Sequence, residues 1–273
     1  VNTELKTRFG PTALITGASD GIGRAFAEAL AARGFDLILV ARREPVLEAL
    51  ARDLAARHGV KVDAIAGDLS APGTVADILE RTAQMPVGLL VASAGFGSVG
   101  PFLSLNPASE ASMVDLNCRS VVELTHGLAT RMAEIGKGGV VLLSSISAFS
   151  GAPYAATYTA TKGFIQSFAE GIAVELRPSG ISVLAVAPGP VGTGFAARAG
   201  MHVGRSETPE AVARIALAAL QRGGTVRPGF QAKLLGWLLV AMPRWARVRI
   251  IGQVKQGEMS TAKAEAPVLK PIE

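Results

Sequence analysis

Short β-branched and leucine-rich runs alternate along this chain with longer segments rich in Ala, Glu and Arg, the sequence appearance of repeated βαβ units. The pattern predicts strands at Thr12–Thr16, Leu37–Ala41, Lys61–Ala66, Gly88–Ala92, Gly139–Leu143 and Ile181–Ala187. It predicts helices between them at Gly21–Arg33, Glu44–His58, Thr74–Gln84, Ser109–Ile135 and Thr157–Arg177. Apolar residues stand at consecutive positions within the strands, so both faces of the sheet are expected to be covered. The fold class that follows is α/β: a Rossmann-like, doubly wound parallel sheet in a three-layer α/β/α arrangement. After Ala187 the chain changes to Pro188-Gly189-Pro190 and a stretch containing Gly and Arg. Residues 189–207 read as a lid over a substrate, because helix resumes at Pro209–Arg222. A single domain is expected over residues 1–256, with 228–256 a variable segment and 257–273 a flexible tail.

Composition narrows the setting. Hydrophobic residues make up 49% of the chain and aromatic ones 5%, which suits helices packed closely on a buried sheet. The single cysteine, Cys118, cannot form an intramolecular disulfide, and no Cys/His cluster has metal-ligand spacing. A reducing, cytoplasmic location without a metal is expected. Val1–Gly10 lacks the apolar run of a secretory signal, and no apolar stretch reaches the roughly 18 residues of a spanning helix. The net charge of +5 does not point to nucleic acid, because it belongs to one late segment. Between Arg222 and Lys255 stand seven basic residues and no acidic one.

The first strand runs into Thr16-Gly17-Ala18-Ser19-Asp20-Gly21-Ile22-Gly23 and then into an amphipathic helix. Gly17 allows a tight turn, Gly21 lets the backbone approach a pyrophosphate, and Gly23 lets the helix pack on the strand. The spacing is GxxxGxG, not the commoner GxGxxG. At the end of the second strand Arg42 and Arg43 stand where NAD would require a carboxylate. A guanidinium there suits the 2'-phosphate of NADP, with Arg43 more readily a solvated helix-start residue. Asp68, followed by Leu69, is a candidate to bond adenine, and a helix cap by Asp68 or Ser70 is the competing reading.

Tyr158 and Lys162 are spaced i and i+4 at the opening of a helix and so share a face. A free phenol titrates near pH ~10, and a neighbouring ammonium lowers that value, so the pair is a plausible general acid and base. Ser145 stands thirteen residues earlier at the end of an apolar strand, where open α/β sheets hold ligands. Asn117 lies inside a predicted helix, where an amide is a mediocre helix former; a function, a kink or a buried hydrogen bond would each explain it.

Taken together, Thr16-Gly17-x-x-x-Gly21-Ile22-Gly23, Ala94-Gly95, Asn117, Ser145, Tyr158-x-x-x-Lys162 and Pro188-Gly189 with Thr193 resemble the classical short-chain dehydrogenase/reductase family, over Pro11 to Arg222. The resemblance implies an NADP(H)-dependent oxidoreductase that interconverts a carbonyl and a secondary alcohol. It implies an Asn117/Ser145/Tyr158/Lys162 tetrad in which Tyr158 transfers the proton and Ser145 steadies the substrate oxygen. Lys162 would bind the nicotinamide ribose and depress the tyrosine, and Asn117 would hold a relay water. Ser19, Asp20, Ile22, Ala94, Gly95, Pro188, Gly189, Val191 and Thr193 would line the cofactor, the last two at its carboxamide end. A homodimer or homotetramer is also implied. Two departures stand out: Ser93 replaces the family's usual Asn, and Asp20 occupies a position often basic in NADP-preferring relatives.

Relatives often end in a short seventh strand and a Gly-Gly tail, whereas this chain continues through Trp237 and Trp245 among basic residues. The 233–250 segment reads either as a helix closing the substrate cleft or a subunit face, or as a peripheral membrane contact. An apolar ketone or ketoacyl-type substrate is preferred. The competing function is a catalytically silent NADP-sensing or scaffold protein of the same fold, which predicts loss of Tyr158 or Lys162; a sugar-nucleotide epimerase is disfavoured by the turn spacing.

Overall fold

The computed structural model describes residues 3–195, 206–229 and 242–253. Its helices are α1 (Thr3–Phe9), α2 (Gly21–Ala31), α3 (Glu44–His58), α4 (Thr74–Arg81), α5 (Pro107–Val114), α6 (Ser120–Ile135), α7 (Ala156–Leu176) and α8 (Pro209–Ala219), followed by a helix at 244–253. The strands are β1 (Thr12–Thr16), β2 (Asp36–Ala41), β3 (Val62–Ala66), β4 (Val87–Ala92), β5 (Gly138–Leu143), β6 (Ile181–Val186) and β7 (Gly224–Val226). They form one parallel sheet in the order β3-β2-β1-β4-β5-β6-β7.

Successive strand residues point to opposite faces, so each strand feeds two cores. Ile15, Leu37, Leu39, Leu89, Val91 and Leu143 pack with residues of α2, α3 and α8. Leu14, Ile38, Val40, Leu90, Val140 and Leu142 pack on the other side with residues of α4, α6 and α7. This is the doubly wound arrangement expected from the unbroken apolar runs. Local chemistry sets the helix ends as the sequence reads: Thr208 Oγ1 accepts the amide of Ala211 at 3.2 Å before Pro209, and α3 stops at His58 against Gly59.

The structure departs from the sequence pattern in three places. No element is predicted before Thr12, yet Thr3–Phe9 is helical and buries Leu5 and Phe9 under the amino ends of the strands. A side chain at Gly139 would come within 2.9 Å of the Phe9 ring, so the sheet has been shaped to admit it. The predicted helix Ser109–Ile135 is instead α5, a π-helical turn at Asp115–Arg119, and α6; the amide of Ser120 reaches back to the carbonyl of Asp115. The seventh strand, read as missing, is present as β7 beside β6, too short and too exposed to carry an apolar signal. Residues 196–205 of the expected lid, 230–241 of the variable segment and the whole 257–273 tail lie outside the described residues.

Phe9 is 1% exposed and Leu103 97% exposed. Phe9→Ala should lower the unfolding free energy by about 3–5 kcal/mol in urea denaturation, whereas Leu103→Ala should change it by less than about 0.5 kcal/mol.

Candidate active site

Between β3 and β4 the chain crosses to the other side of β1, and the carboxyl ends of β1 and β4 flank the crevice where such sheets bind ligands. Thr16 ties these ends together: its Oγ1 accepts the amides of Ser93 at 3.1 Å and Ala94 at 3.0 Å. From Thr16 the chain turns through Gly17 at φ 67° and Gly21 at φ 53° into α2. These are left-handed values that favour glycine. Space is equally short, since a Cβ would lie 2.9 Å from the Ala94 backbone at Gly17, 2.9 Å from Thr193 Cγ2 at Gly21 and 2.4 Å from the Gly17 carbonyl at Gly23. The result is a backbone cradle at a helix start, whose first amides have no intrahelical acceptor. It fits the pyrophosphate of a dinucleotide.

The rim of this cradle is basic. Arg43 is an exposed residue at the start of α3, as its position implies, and its Nη2 donates to Ser19 Oγ at 3.2 Å across the turn. Arg42 stands 3.9 Å from Asp68. Burial pushes the Asp68 carboxyl up, but hydrogen bonds from the Ser70 hydroxyl and amide, with Arg42 nearby, leave it below its ordinary value. Neither Asp68 nor Ser70 caps α4, whose cap is Gly73. Leu69 is a core side chain. Ile22 packs partly buried against the other core. Val191 and Thr193 follow Pro188, whose carbonyl accepts the amide of Ile146 at 3.0 Å, and so the segment after β6 is anchored to the one after β5.

The four tetrad residues come together at the ends of β4 and β5. Asn117 lies in the π-helical turn, 2% exposed, donating from Nδ2 to the Phe96 carbonyl at 2.9 Å and to Thr161 Oγ1 at 3.0 Å and accepting the Phe96 amide at 3.2 Å. The buried hydrogen bond expected of this amide is therefore present, within a π-helical turn. Ser145 is buried at the start of the 3₁₀ turn Ile146–Phe149, and its Oγ accepts the Ser147 amide at 3.2 Å. One turn separates Tyr158 from Lys162 on α7, and the ammonium lies 6.0 Å from the phenol ring centre.

Sequence reasoning missed four neighbours. Lys162 Nζ donates to the Leu143 carbonyl at 2.7 Å, Thr161 fixes Asn117, and Phe195 stacks at a tilt on Tyr158 with ring centres 5.6 Å apart. A Cβ at Gly97 would meet the Tyr158 ring at 2.9 Å, and one at Gly95 would meet Asn117 Oδ1 at 2.9 Å. The alternate glycines of Ala94-Gly95-Phe96-Gly97 were the available signal for Gly97; nothing local marks Leu143 or Thr161.

Burial raises the Tyr158 phenol above its ordinary value, against a hydrogen bond with the Ser145 side chain that pulls it down. Here the ammonium is engaged by the Leu143 carbonyl, and desolvation dominates the phenol. Burial likewise pushes Lys162 down to about 8 and the Cys118 thiol up to about 11, in keeping with Cys118 as a small core residue.

The family model for short chain dehydrogenases matches residues 11–203. The chain is 39% identical over 183 residues to the uncharacterized oxidoreductase YmfI of Bacillus subtilis, covering 67% of this chain and 75% of that one. It is 35% identical over 182 residues to a very-long-chain 3-oxoacyl-CoA reductase of Pyricularia oryzae, covering 64% of this chain and 54% of that one, so it spans about half that relative's length. A solved short-chain dehydrogenase from Sphingobium yanoikuyae in complex with NADPH has a TM-score of 0.78 at 29% identity, over 97% of this chain and 99% of that one. The protein belongs to the short chain dehydrogenase family. It is an oxidoreductase acting on CH–OH groups with a nicotinamide dinucleotide.

Lys162 is 8% exposed, and its folded value near 8 lies below the unfolded lysine value of about 10.4. Between these limits the native state binds fewer protons than the unfolded chain, so this group makes stability rise with pH there. Lys162→Met should flatten that rise, read as the change in urea midpoint from neutral to alkaline buffer against wild type.

Proposed function

We propose that this chain reduces an apolar ketone or ketoacyl-type substrate to a secondary alcohol with NADPH, Tyr158 acting as general acid. The observation that carries this reading is the meeting of a half-buried phenol, a buried ammonium and a serine hydroxyl at the carboxyl end of β5, beside a glycine cradle that fits a pyrophosphate. Gly17, Gly21 and Gly23 would hold the pyrophosphate, and Ile22, Ala94 and Gly95 would lie along the dinucleotide. Arg42 and Arg43 would take the 2'-phosphate, Lys162 the nicotinamide ribose, and Val191 and Thr193 the carboxamide.

When bound, the dinucleotide supplies the hydride. Ser145 donates a hydrogen bond to the substrate oxygen while Tyr158 transfers its phenolic proton to it. A phenol held high by burial stays protonated at neutral pH, as an acid in reduction requires. The protonated Lys162 then stabilises the phenolate left behind. Phe195 against the Tyr158 ring excludes water from that face. The apolar, acyl-type substrate is supported by the likeness to very-long-chain 3-oxoacyl-CoA reductases, and the NADP preference by the NADPH-bound neighbour and by the absence of a carboxylate at the end of β2. A homo-oligomer is supported by exposed Phe164 and Val174 on α7, and a peripheral membrane contact by the exposed Trp245; no helix among the described residues is long and apolar enough to cross a membrane. The silent-scaffold alternative is opposed by the retention of Tyr158 and Lys162 together.

Tyr158→Phe should abolish turnover in stopped or continuous NADPH-oxidation assays while NADPH binding, read by fluorescence titration, stays near wild type; full activity would remove the mechanism. Arg42→Ala should raise the KM for NADPH much more than that for NADH, and an equal effect on both would remove the 2'-phosphate assignment.

A further inference from the structure

Phe149 is held by two arginines. The Arg227 guanidinium lies 4.5 Å above the centre of its ring, and Arg247 Nη1 donates to its carbonyl at 3.1 Å while Nε donates to Met242 at 2.9 Å. Both side chains are half-buried, and among the described residues neither forms an ion pair. The Nε of Arg227 is buried with no hydrogen-bond partner among the described residues. Two guanidiniums brought onto one residue without a carboxylate repel each other, and a buried donor without an acceptor is costly. Residues 222–255 contain no acidic side chain, and the Glu207 carboxylate, which lies against Gly229, forms no ion pair with either arginine among the described residues.

The position of the pair points to the substrate. Arg227 follows β7 directly, at the carboxyl edge of the sheet where ligands bind. β7 lies two strands from β5, a lateral distance of roughly 10 Å at about 4.8 Å per strand. Phe149 ends the 3₁₀ turn that Ser145 opens, and at about 2 Å per residue the two are on the order of 8 Å apart along it. The pair is thus too far from the reacting carbonyl to bind it and near enough to bind the other end of the same molecule.

We infer that Arg227 and Arg247 form an oxyanion-recognition site for a carboxylate or phosphate carried by the substrate about 10 Å from its carbonyl. The inference rests on the reductase reading above. The planar guanidinium fork is the side chain suited to such groups. A lipid surface would instead be read by side chains pointing outward, as Trp245 does, whereas these two are drawn in against Phe149.

The test uses the full chain, NADPH and two matched substrate pairs: an ω-acetyl fatty acid with its methyl ester, and a 3-ketoacyl-CoA with the same acyl group on N-acetylcysteamine. Arg227→Met keeps the apolar stem over Phe149 and removes the charge; Arg247→Lys keeps the charge. In Arg227→Met the KM for the charged member of one pair should rise about tenfold or more, with its neutral partner and both kcat values unchanged, and Arg247→Lys should change it less. The first pair reports a substrate carboxylate, the second the CoA phosphates. Equal shifts for charged and neutral partners, or no shift in either pair, overturn the site. So does lost binding to phosphatidylglycerol vesicles with every KM unchanged, which would assign the arginines to a membrane. If wild type reduces none of the four compounds, the reductase reading is what has failed. Calorimetric titration of the fatty acid and the CoA thioester into wild type and Arg227→Met then decides the site separately, equal affinities overturning it.

Discussion

The hydrogen bond from the buried Lys162 ammonium to the Leu143 carbonyl, 2.7 Å long, is the contact on which the rest of the site depends. A charge taken out of water needs a partner, and here the partner is the last carbonyl of a central strand. That bond fixes the start of α7 on the end of β5. Because Tyr158 lies one turn before Lys162 and Ser145 two residues after Leu143, it also fixes the phenol relative to the serine hydroxyl. Ser144 reinforces it by donating to the Lys162 carbonyl at 3.1 Å.

Around this contact the strand ends are joined one to the next by one or two hydrogen bonds each, made by short polar side chains or backbone amides. Thr16 bridges β1 to the segment after β4, Asn117 holds that segment at Phe96, and Ile146 binds the carbonyl of Pro188 after β6. The π-helical turn belongs to the same scheme. It widens the helix by one residue and turns Asn117 inward to the Phe96 backbone and Thr161, where a regular helix would continue its own ladder. Burial then sets the electrostatics, raising the phenol and lowering the ammonium to about 8, so that at neutral pH the first holds its proton and the second stays mostly charged.

The substrate side is built differently. Helix 244–253 rests on the loop between Ser145 and Tyr158, with Val248 near Gly151 and Gly252 against Pro153. In the proposed reading, cofactor chemistry and substrate choice fall to separate parts of the chain: glycine turns and strand ends for the first, and the basic C-terminal segment for the second.

The sheet, its two covered faces and most helix bounds were legible in the sequence because they follow from local periodicity and from caps such as Thr208 and Gly59, which act within a few residues. The glycine turn and the grouping of Asn117, Ser145, Tyr158 and Lys162 were legible because their spacings are short or their residue types unusual for their positions. Helix α1, the π turn and β7 were not, since each exists through contacts with distant chain: Phe9 under β5, Asn117 on Phe96 and Thr161, three residues beside β6. The same division holds at the chemistry. Sequence determined which groups are candidates to carry the proton, but the direction of their pKa shifts was decided only by folding, because desolvation depends on how much protein surrounds a group and not on what stands four residues away.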